Sequence, residues 1–236
     1  MYAAYFRRHG GPEVMDTGEA PEPVVATGTV VVSVRAVALN HLDLWVRRGI
    51  PGLALDLPHI GGSDVAGVID EVGPDADGWE VGDRVVLNPS LWCGECEWCE
   101  RGEHPLCVDF RILGEHVAGG TAERVRVAAR NLYRIPDDLE FRVAAAAPLA
   151  YQTAWRALKT RGGLARGDSV LVTGASGGVS TAAIQISKLL GARVLAVTSG
   201  PDNVSRVQEL GADIVFDRLE TDFAEGVKAH TEGRGV

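Results

Sequence analysis

The stretch from Ser169 to Val197 restricts the fold more than any other part of the chain. Val170, Leu171 and Val172 form a short apolar run, the pattern of a strand covered on both faces. Gly174, Gly177 and Gly178 follow, and then Val179, Ala182, Ala183, Ile186 and Leu190 recur at helical spacing. Gly191 stands where a helix-ending glycine belongs, and Arg193-Val194-Leu195-Ala196-Val197 reads as a second buried strand. The sequence thus predicts a β-α-β unit with its glycines at the first turn. From Asp168 onward strands and helices alternate, which predicts a parallel sheet.

A turn of this kind has a chemical use. The N-terminus of a helix offers free N–H groups and partial positive charge, which suit a pyrophosphate. Glycines let the backbone approach the phosphates and the helix approach the strand. The run Gly174-Ala175-Ser176-Gly177-Gly178-Val179-Ser180 departs from G-x-G-x-x-G; in register it reads Ala175-x-Gly177-x-x-Ser180, with Gly174 just before. We read it as a nucleotide-binding turn; the competing reading is a glycine turn in an α/β domain that binds no nucleotide.

The residues before it differ in kind. Short runs rich in β-branched residues lie between Gly and Pro turns at Thr29–Val37, Val65–Val72, Val81–Leu87, Thr121–Val127 and Asn131–Ile135. They predict a small β-barrel. The character changes at Pro136-Asp137-Asp138, after which Phe141–Ala147 is alanine-rich and Gln152–Thr160 is helix-like. The 236 residues therefore divide into domains at 1–147 and 148–236. A net charge of −9 argues against nucleic acid and anionic membrane surfaces as partners. There is no signal-peptide pattern and no apolar run near about 18 residues, so a soluble cytoplasmic protein is expected.

All four cysteines fall in Cys93-x2-Cys96-x2-Cys99-x7-Cys107. In a cytosolic protein such clustering points to a metal rather than to disulfides. Zn²⁺ takes four thiolates in a tetrahedron at about 2.3 Å, and four sulfurs leave no open position for substrate. Residues 92–108 are therefore expected to form a lobe around one structural zinc, the alternative being free or paired thiols.

These signals, in this order, resemble the medium-chain dehydrogenase/reductase superfamily of zinc-containing alcohol dehydrogenases and quinone oxidoreductases. Gly61-Gly62-Ser63-Asp64-Val65-Ala66-Gly67 is similar to the family's G-H-E-x-x-G segment, and Val81-Gly82-Asp83-Arg84-Val85 to its G-D-R-V turn. The four cysteines match its structural zinc lobe, and Ala175-Ser176-Gly177-Gly178-Val179-Ser180 is similar to the A-x-x-G-x-x-G variant of its quinone reductase branch. The resemblance implies a GroES-like N-terminal domain, then a Rossmann doubly wound parallel sheet, and hydride transfer with NAD(P)H on a small-molecule carbonyl, enone, quinone or alcohol.

Departures from the family pattern sharpen this. The usual catalytic-zinc ligands would fall at Asn40, Ser63 and about Pro148, with Asp64 for the neighbouring acid, and none of the three is a strong Zn²⁺ ligand. Instead Asn40-His41-Leu42-Asp43-Leu44-Trp45-Val46-Arg47-Arg48-Gly49 resembles the quinone reductase pattern N-P-V-D-x-Y-x-R-x-G, in which no metal polarises the carbonyl. Asn40, Asp43 and Arg47 are then the candidate catalytic residues. Asn40 would orient the substrate oxygen through its amide N–H, and Asp43 would hold a loop rather than do chemistry. Thr153 matches the family threonine near the nicotinamide. One alternative is an alcohol dehydrogenase with an unusual second zinc, drawing on His41, His59 and His116 with Asp64 or Glu115.

NAD selection uses an acid at the end of the second strand. Here that strand ends Thr198-Ser199-Gly200, which leaves room for a 2′-phosphate, with Arg206 to pair with it and Asp202 working against it. NADP(H) is therefore favoured over NAD(H). A complete dinucleotide fold has six strands in the order 3-2-1-4-5-6, and three are legible here. Residues 1–236 are accordingly expected to be the first part of a longer, homo-oligomeric enzyme, lacking the strand through which the family dimerises and inactive alone. A further alternative is an inactive fragment that binds zinc and part of the nucleotide.

Overall fold

The computed structural model describes residues 1–236 as two compact units, Met1–Leu149 and Ala150–Val236. The division falls two residues later than the sequence places it, inside a helix, because Leu149 still hydrogen-bonds to the first unit at Asp64.

The first unit runs β1 (Tyr2–Phe6), β2 (Met15–Glu19), β3 (Thr29–Ala38), α1 (His41–Arg48), β4 (Asp64–Val72) and β5 (Arg84–Leu87). It continues through β6 (Ser90–Leu91), α2 (Glu97–Glu100), β7 (Arg111–Ile112), β8 (Arg124–Ala128), β9 (Leu132–Arg134), α3 (Phe141–Ala145) and the start of α4 (Pro148–Trp155). Five strands form an antiparallel sheet in the order β8-β3-β4-β5-β9. Val30, Val31 and Val32 of β3 are fully buried, and each such side chain stabilises by about 1.5–3 kcal/mol relative to exposure. Val30 and Val32 meet Val65, Ile69, Val85, Leu87 and Leu113 in the core. Two register shifts in the β3–β4 pairing, at Val31/Val32 and Val34/Ala36, bend the sheet, as bulges do. Bridges at Ala3–Ala122 and Phe6–His59 tie β1 to the segments leading into β8 and β4.

Two strands start later than their composition suggests. β5 begins at Arg84 because Gly82 takes φ +100° and the Asp83 carboxylate accepts from the Glu80 N–H at 3.0 Å, making a turn of Val81–Asp83. β8 begins at Arg124 because Thr121 is held to the Gly61 loop, its N–H and hydroxyl both donating to the Gly61 carbonyl at 3.0 and 2.9 Å.

The second unit runs β10 (Ser169–Val172), α5 (Gly178–Leu189), β11 (Arg193–Thr198), α6 (Pro201–Glu209), β12 (Ile214–Asp217) and α7 (Phe223–His230). The three strands are parallel, in the order β10-β11-β12. This is the 3-2-1 arrangement of a mononucleotide-binding half. β11 lies in the middle and alternates between two apolar layers. Val194 and Ala196 face Ile184 of α5 and Val207 of α6, whereas Leu195 and Val197 face Phe216 and Val227 of α7. That double burial is why the strand reads as an unbroken apolar run.

A close approach of two strands positions the start of β4. A Cβ built on Gly67 would lie 2.2 Å from the Ser33 carbonyl oxygen of β3, and backbone cannot yield as a side chain does. Gly67→Ala is expected to lower the urea midpoint by the equivalent of about 1–3 kcal/mol, with no change in slope. An unmoved midpoint would show that β3 and β4 part readily at this point.

Candidate functional site

Three groups of residues carry chemistry. The first is the cysteine lobe. Cys93 follows β6, Cys96 caps α2, Cys99 lies within α2, and Cys107 ends a short 3-10 turn at His104–Leu106. The four Sγ atoms lie within 4.8 Å of one another, with Cys93–Cys99 at 3.8 Å and Cys96–Cys99 and Cys93–Cys107 at 3.5 Å. A regular tetrahedron with Zn–S bonds of about 2.3 Å has edges of about 3.8 Å, so the thiols already stand at metal-binding separation. Backbone N–H groups point at the sulfurs: those of Cys93 and Asp109 donate to Cys107 at 3.3 and 3.4 Å. The amides of Val108 and Cys99 bring the Cys96 thiol down to about 6, while burial pushes Cys99 up to about 12. The lobe is fastened to the sheet by Arg130, which donates to the Trp92 carbonyl and lies over the Trp92 ring; that ring stacks on His104 with centroids 4.3 Å apart.

The second group is the turn between β10 and α5. Gly174 takes φ +58°, and the Gly177 N–H closes the turn onto the Gly174 carbonyl at 2.9 Å. Ala175, fully buried, donates to the Val197 carbonyl at 2.9 Å and so locks the turn to β11. Gly177 caps α5, and the first intrahelical donor is Thr181. The N–H groups of Gly178, Val179 and Ser180 thus stand free of helical partners. A Cβ on Gly178 or Gly174 would meet nothing within 4 Å. The protein's own packing does not demand these glycines, and they leave the space before the helix open. Ser176 lies in the turn, and the Ser180 hydroxyl donates to the Thr173 carbonyl at 3.0 Å.

At the carboxyl end of β11, Thr198 is buried with its hydroxyl unpartnered. Ser199 does not meet Arg206, which lies in the last turn of α6. It meets Arg218, whose Nε donates to the Ser199 hydroxyl at 2.7 Å. Arg218 directly follows β12, and the rule that ligands bind beyond the carboxyl ends of parallel strands would have singled it out. Asp217 accepts from the Gly200 and Leu219 N–H groups, both at 3.0 Å. Thr153 lies on the exposed side of α4.

The third group surrounds the N-terminus of α1. Asn40 caps the helix in a capping box: its side chain accepts from the Asp43 N–H, and the Asp43 carboxylate accepts from the Asn40 N–H at 2.7 Å. The other Asp43 oxygen accepts from the Gly62 N–H at 3.1 Å, so Asp43 joins α1 to the Gly61-Gly62 loop. Asn40 Nδ2 donates to Asp64 Oδ2 at 3.0 Å, and the Leu149 N–H donates to Asp64 Oδ1 at 2.9 Å. Asp64 therefore draws together Asn40 and the chain beside Pro148, two of the three positions at which the resemblance would put zinc ligands. Ser63, the third, is fully buried with its hydroxyl unpartnered. Burial pushes the Asp64 carboxyl up to about 6 against the pull of its two donors, and the Asp43 charge adds to the rise. The Arg47 Nε reaches the Gly10 carbonyl at 3.4 Å.

The three histidines do not converge. His59 is buried, with its Nε2 hydrogen-bonded to the Gly114 carbonyl at 3.0 Å; burial lowers its tendency to charge against the pull of that bond. His116 accepts from the Ile112 N–H at 3.1 Å, and His41 packs by Trp45. Only the four cysteines bring three or more metal-ligating side chains together.

Comparison with known proteins completes the description. Residues 26–137 match the alcohol dehydrogenase GroES-like domain, and residues 178–236 match the zinc-binding dehydrogenase domain. The chain is 34% identical over 236 residues to an alcohol dehydrogenase of Schizosaccharomyces pombe, spanning 98% of this chain and 66% of that one. It is 31% identical over 237 residues to a quinone oxidoreductase of Homo sapiens, spanning 100% of this chain and 64% of that one. A crystal structure of an NAD-dependent alcohol dehydrogenase superposes with a TM-score of 0.96 at 45% identity, covering 100% of this chain and 69% of that one. The chain spans about two thirds of the length of the curated relatives it matches.

Two outcomes are expected. Cys96→Ser should release bound zinc and loosen the lobe, read as metal content and as faster amide exchange over residues 92–108, with the β10–α5 turn unaffected; full zinc retention would break the four-thiolate assignment. Asp64 should leave a pH signature. An unfolded aspartate titrates near ~3.9, and Asp64 in the fold titrates near about 6, so the folded protein holds the proton more tightly. Its stabilising contribution is present below the unfolded value and is lost as pH rises through about 6. A change of that size corresponds to about 3 kcal/mol. Asp64→Asn fixes the neutral form, so its stability relative to the parent should rise between pH 4.5 and 7.5 in urea titrations. An equal difference at both pH values would show that another group titrates.

Proposed function

The chain belongs to the medium-chain dehydrogenase/reductase superfamily, and from that premise we propose that it serves hydride transfer between a nicotinamide cofactor and a small carbonyl, enone, quinone or alcohol. The observation that carries this reading is the start of α5, where free N–H groups face a space kept open by Gly174 and Gly178. Such a terminus suits a pyrophosphate. The nicotinamide supplies or accepts the hydride when bound. The chain's own part is to hold the phosphates at Gly177–Ser180, with Ala175 and Ser176 shaping the turn, and the ribose at Thr198 and Ser199.

Asn40 supplies the hydrogen-bond donor for the substrate oxygen. Asp43 fixes the helix cap and the Gly62 loop around it, and Arg47 braces α1 against Gly10. Thr153 is assigned to the nicotinamide side by its match to the family threonine. Cys93, Cys96, Cys99 and Cys107 hold one structural zinc, on the support of their sulfur separations. The four free thiols suit a reducing cytoplasm, and no helix is long and apolar enough to cross a membrane.

For the cofactor we favour NADP(H). The ribose end of β11 carries Thr198 and Ser199 rather than an acid, and the Arg218 guanidinium sits on the Ser199 hydroxyl. The Asp217 carboxylate close by is engaged with two backbone N–H groups. The similar structure named above is NAD-dependent, so the comparison must be made directly. Fluorescence titration should show tighter binding of NADPH than of NADH. Arg218→Ala should weaken NADPH about tenfold or more and leave NADH unchanged, the effect of losing one charge-assisted hydrogen bond. Ser199→Asp should reverse the preference. Tighter NADH binding by the parent would overturn the NADP reading, and binding of neither would overturn the nucleotide site.

A further inference from the structure

Asp64 is the only carboxylate buried in the chain, 1% exposed at the head of β4. A carboxylate in that position needs hydrogen bonds or a cation. Asp64 takes two neutral donors, Asn40 Nδ2 and the Leu149 N–H. Neither needs a carboxylate for its own sake, because the half-buried Asn40 amide and a helix-start N–H can both be satisfied by water. What the carboxylate adds is direction. An asparagine amide can be turned end for end, and its orientation is set by its partners. Here the Asn40 oxygen is taken by the Asp43 N–H in the capping box, and one of its two N–H bonds is taken by Asp64. The second N–H has no partner in the protein.

We propose that Asp64 is the positioning residue of this site: its carboxylate fixes the Asn40 amide so that the remaining N–H is offered to a substrate oxygen. The oxygen's identity rests on the hydride-transfer reading above; the orientation of the amide does not. The same carboxylate receives the N–H at the start of α4, so one group sets both the donor and the chain that leads into that helix.

The arrangement depends on the charge state of Asp64. The charged group acting on it is Asp43, from α1; the others that face it are the neutral Asn40 amide and Leu149 N–H, and Ala38 lies opposite on β3. When Oδ2 carries a proton it presents an O–H to Asn40 in place of an acceptor. The amide then loses the contact that fixes it.

The experiment uses the full chain, isotopically labelled, with the Asp64 carboxyl carbon and the Asn40 side-chain amide followed by NMR from pH 4.5 to 8. Both should titrate with one midpoint near about 6, and in Asp64→Asn the Asn40 amide should shift and lose that titration. An Asn40 amide that is indifferent to Asp64, by either measure, overturns the proposal. If Asp64→Asn does not fold, the parent titration alone decides. Asp64→Asn should leave NADPH affinity unchanged, and Asp64→Glu, which keeps the charge, should restore part of the linked titration. Linked titration in a chain that binds neither NADPH nor NADH would fail the hydride-transfer reading and leave the hold of Asp64 on Asn40 standing. Nucleotide binding with unlinked titration would do the reverse.

Discussion

A negative charge buried with no cation beside it must be held by neutral donors, and much of the first unit is arranged around that constraint at Asp64. Strand β4 begins on it, the cap of α1 reaches it through Asn40, and the start of α4 reaches it through the Leu149 N–H. Asp43 extends the same network to the Gly61-Gly62 loop. That loop has no room to retreat: Gly62 takes φ +91°, and a Cβ on it would lie 2.8 Å from the Thr121 side chain and 3.0 Å from its backbone N. Position is thus enforced by main chain on one side and by charge on the other.

The cysteine lobe solves a different problem with different means. It has almost no core of its own; Cys99 and Cys107 are its buried residues, and β6 and β7 contribute two residues each. A segment that small cannot hold itself by apolar burial, and a metal joined to the four sulfurs, as proposed, would replace the missing core. The stack of His104, Trp92 and Arg130 gives it one further hold on the five-stranded sheet.

Most of this was legible in the chain, for definite reasons. The β-α-β unit could be read because β11 is buried on both faces and so shows no polar interruption from Val194 to Val197. The convergence of the four sulfurs could be read because thiolate spacing is itself the signal. Strand starts were harder: Val81 and Thr121 have strand-forming side chains, but Val81 lies inside the Glu80–Asp83 turn and the Thr121 N–H is taken by the Gly61 carbonyl. The Arg218 contact was not visible because it joins two strand ends 19 residues apart, whereas helical proximity in sequence pointed to Arg206. The part played by Asp64 was hidden for the same reason, since its partners come from residues 24 and 85 positions away.

The open start of α5 has a consequence for how such a chain changes over generations. An anion held there is gripped by main-chain N–H groups, which almost any side chain leaves in place, so the grip survives most substitutions. The contact of Ser199 with Arg218 at the end of β11 is different, because it is made by side chains and a single nucleotide change in the gene can replace either. On the proposed reading, a lineage built this way would keep its nucleotide while exchanging one form of it for the other, and related proteins would diverge in cofactor before they diverge in fold.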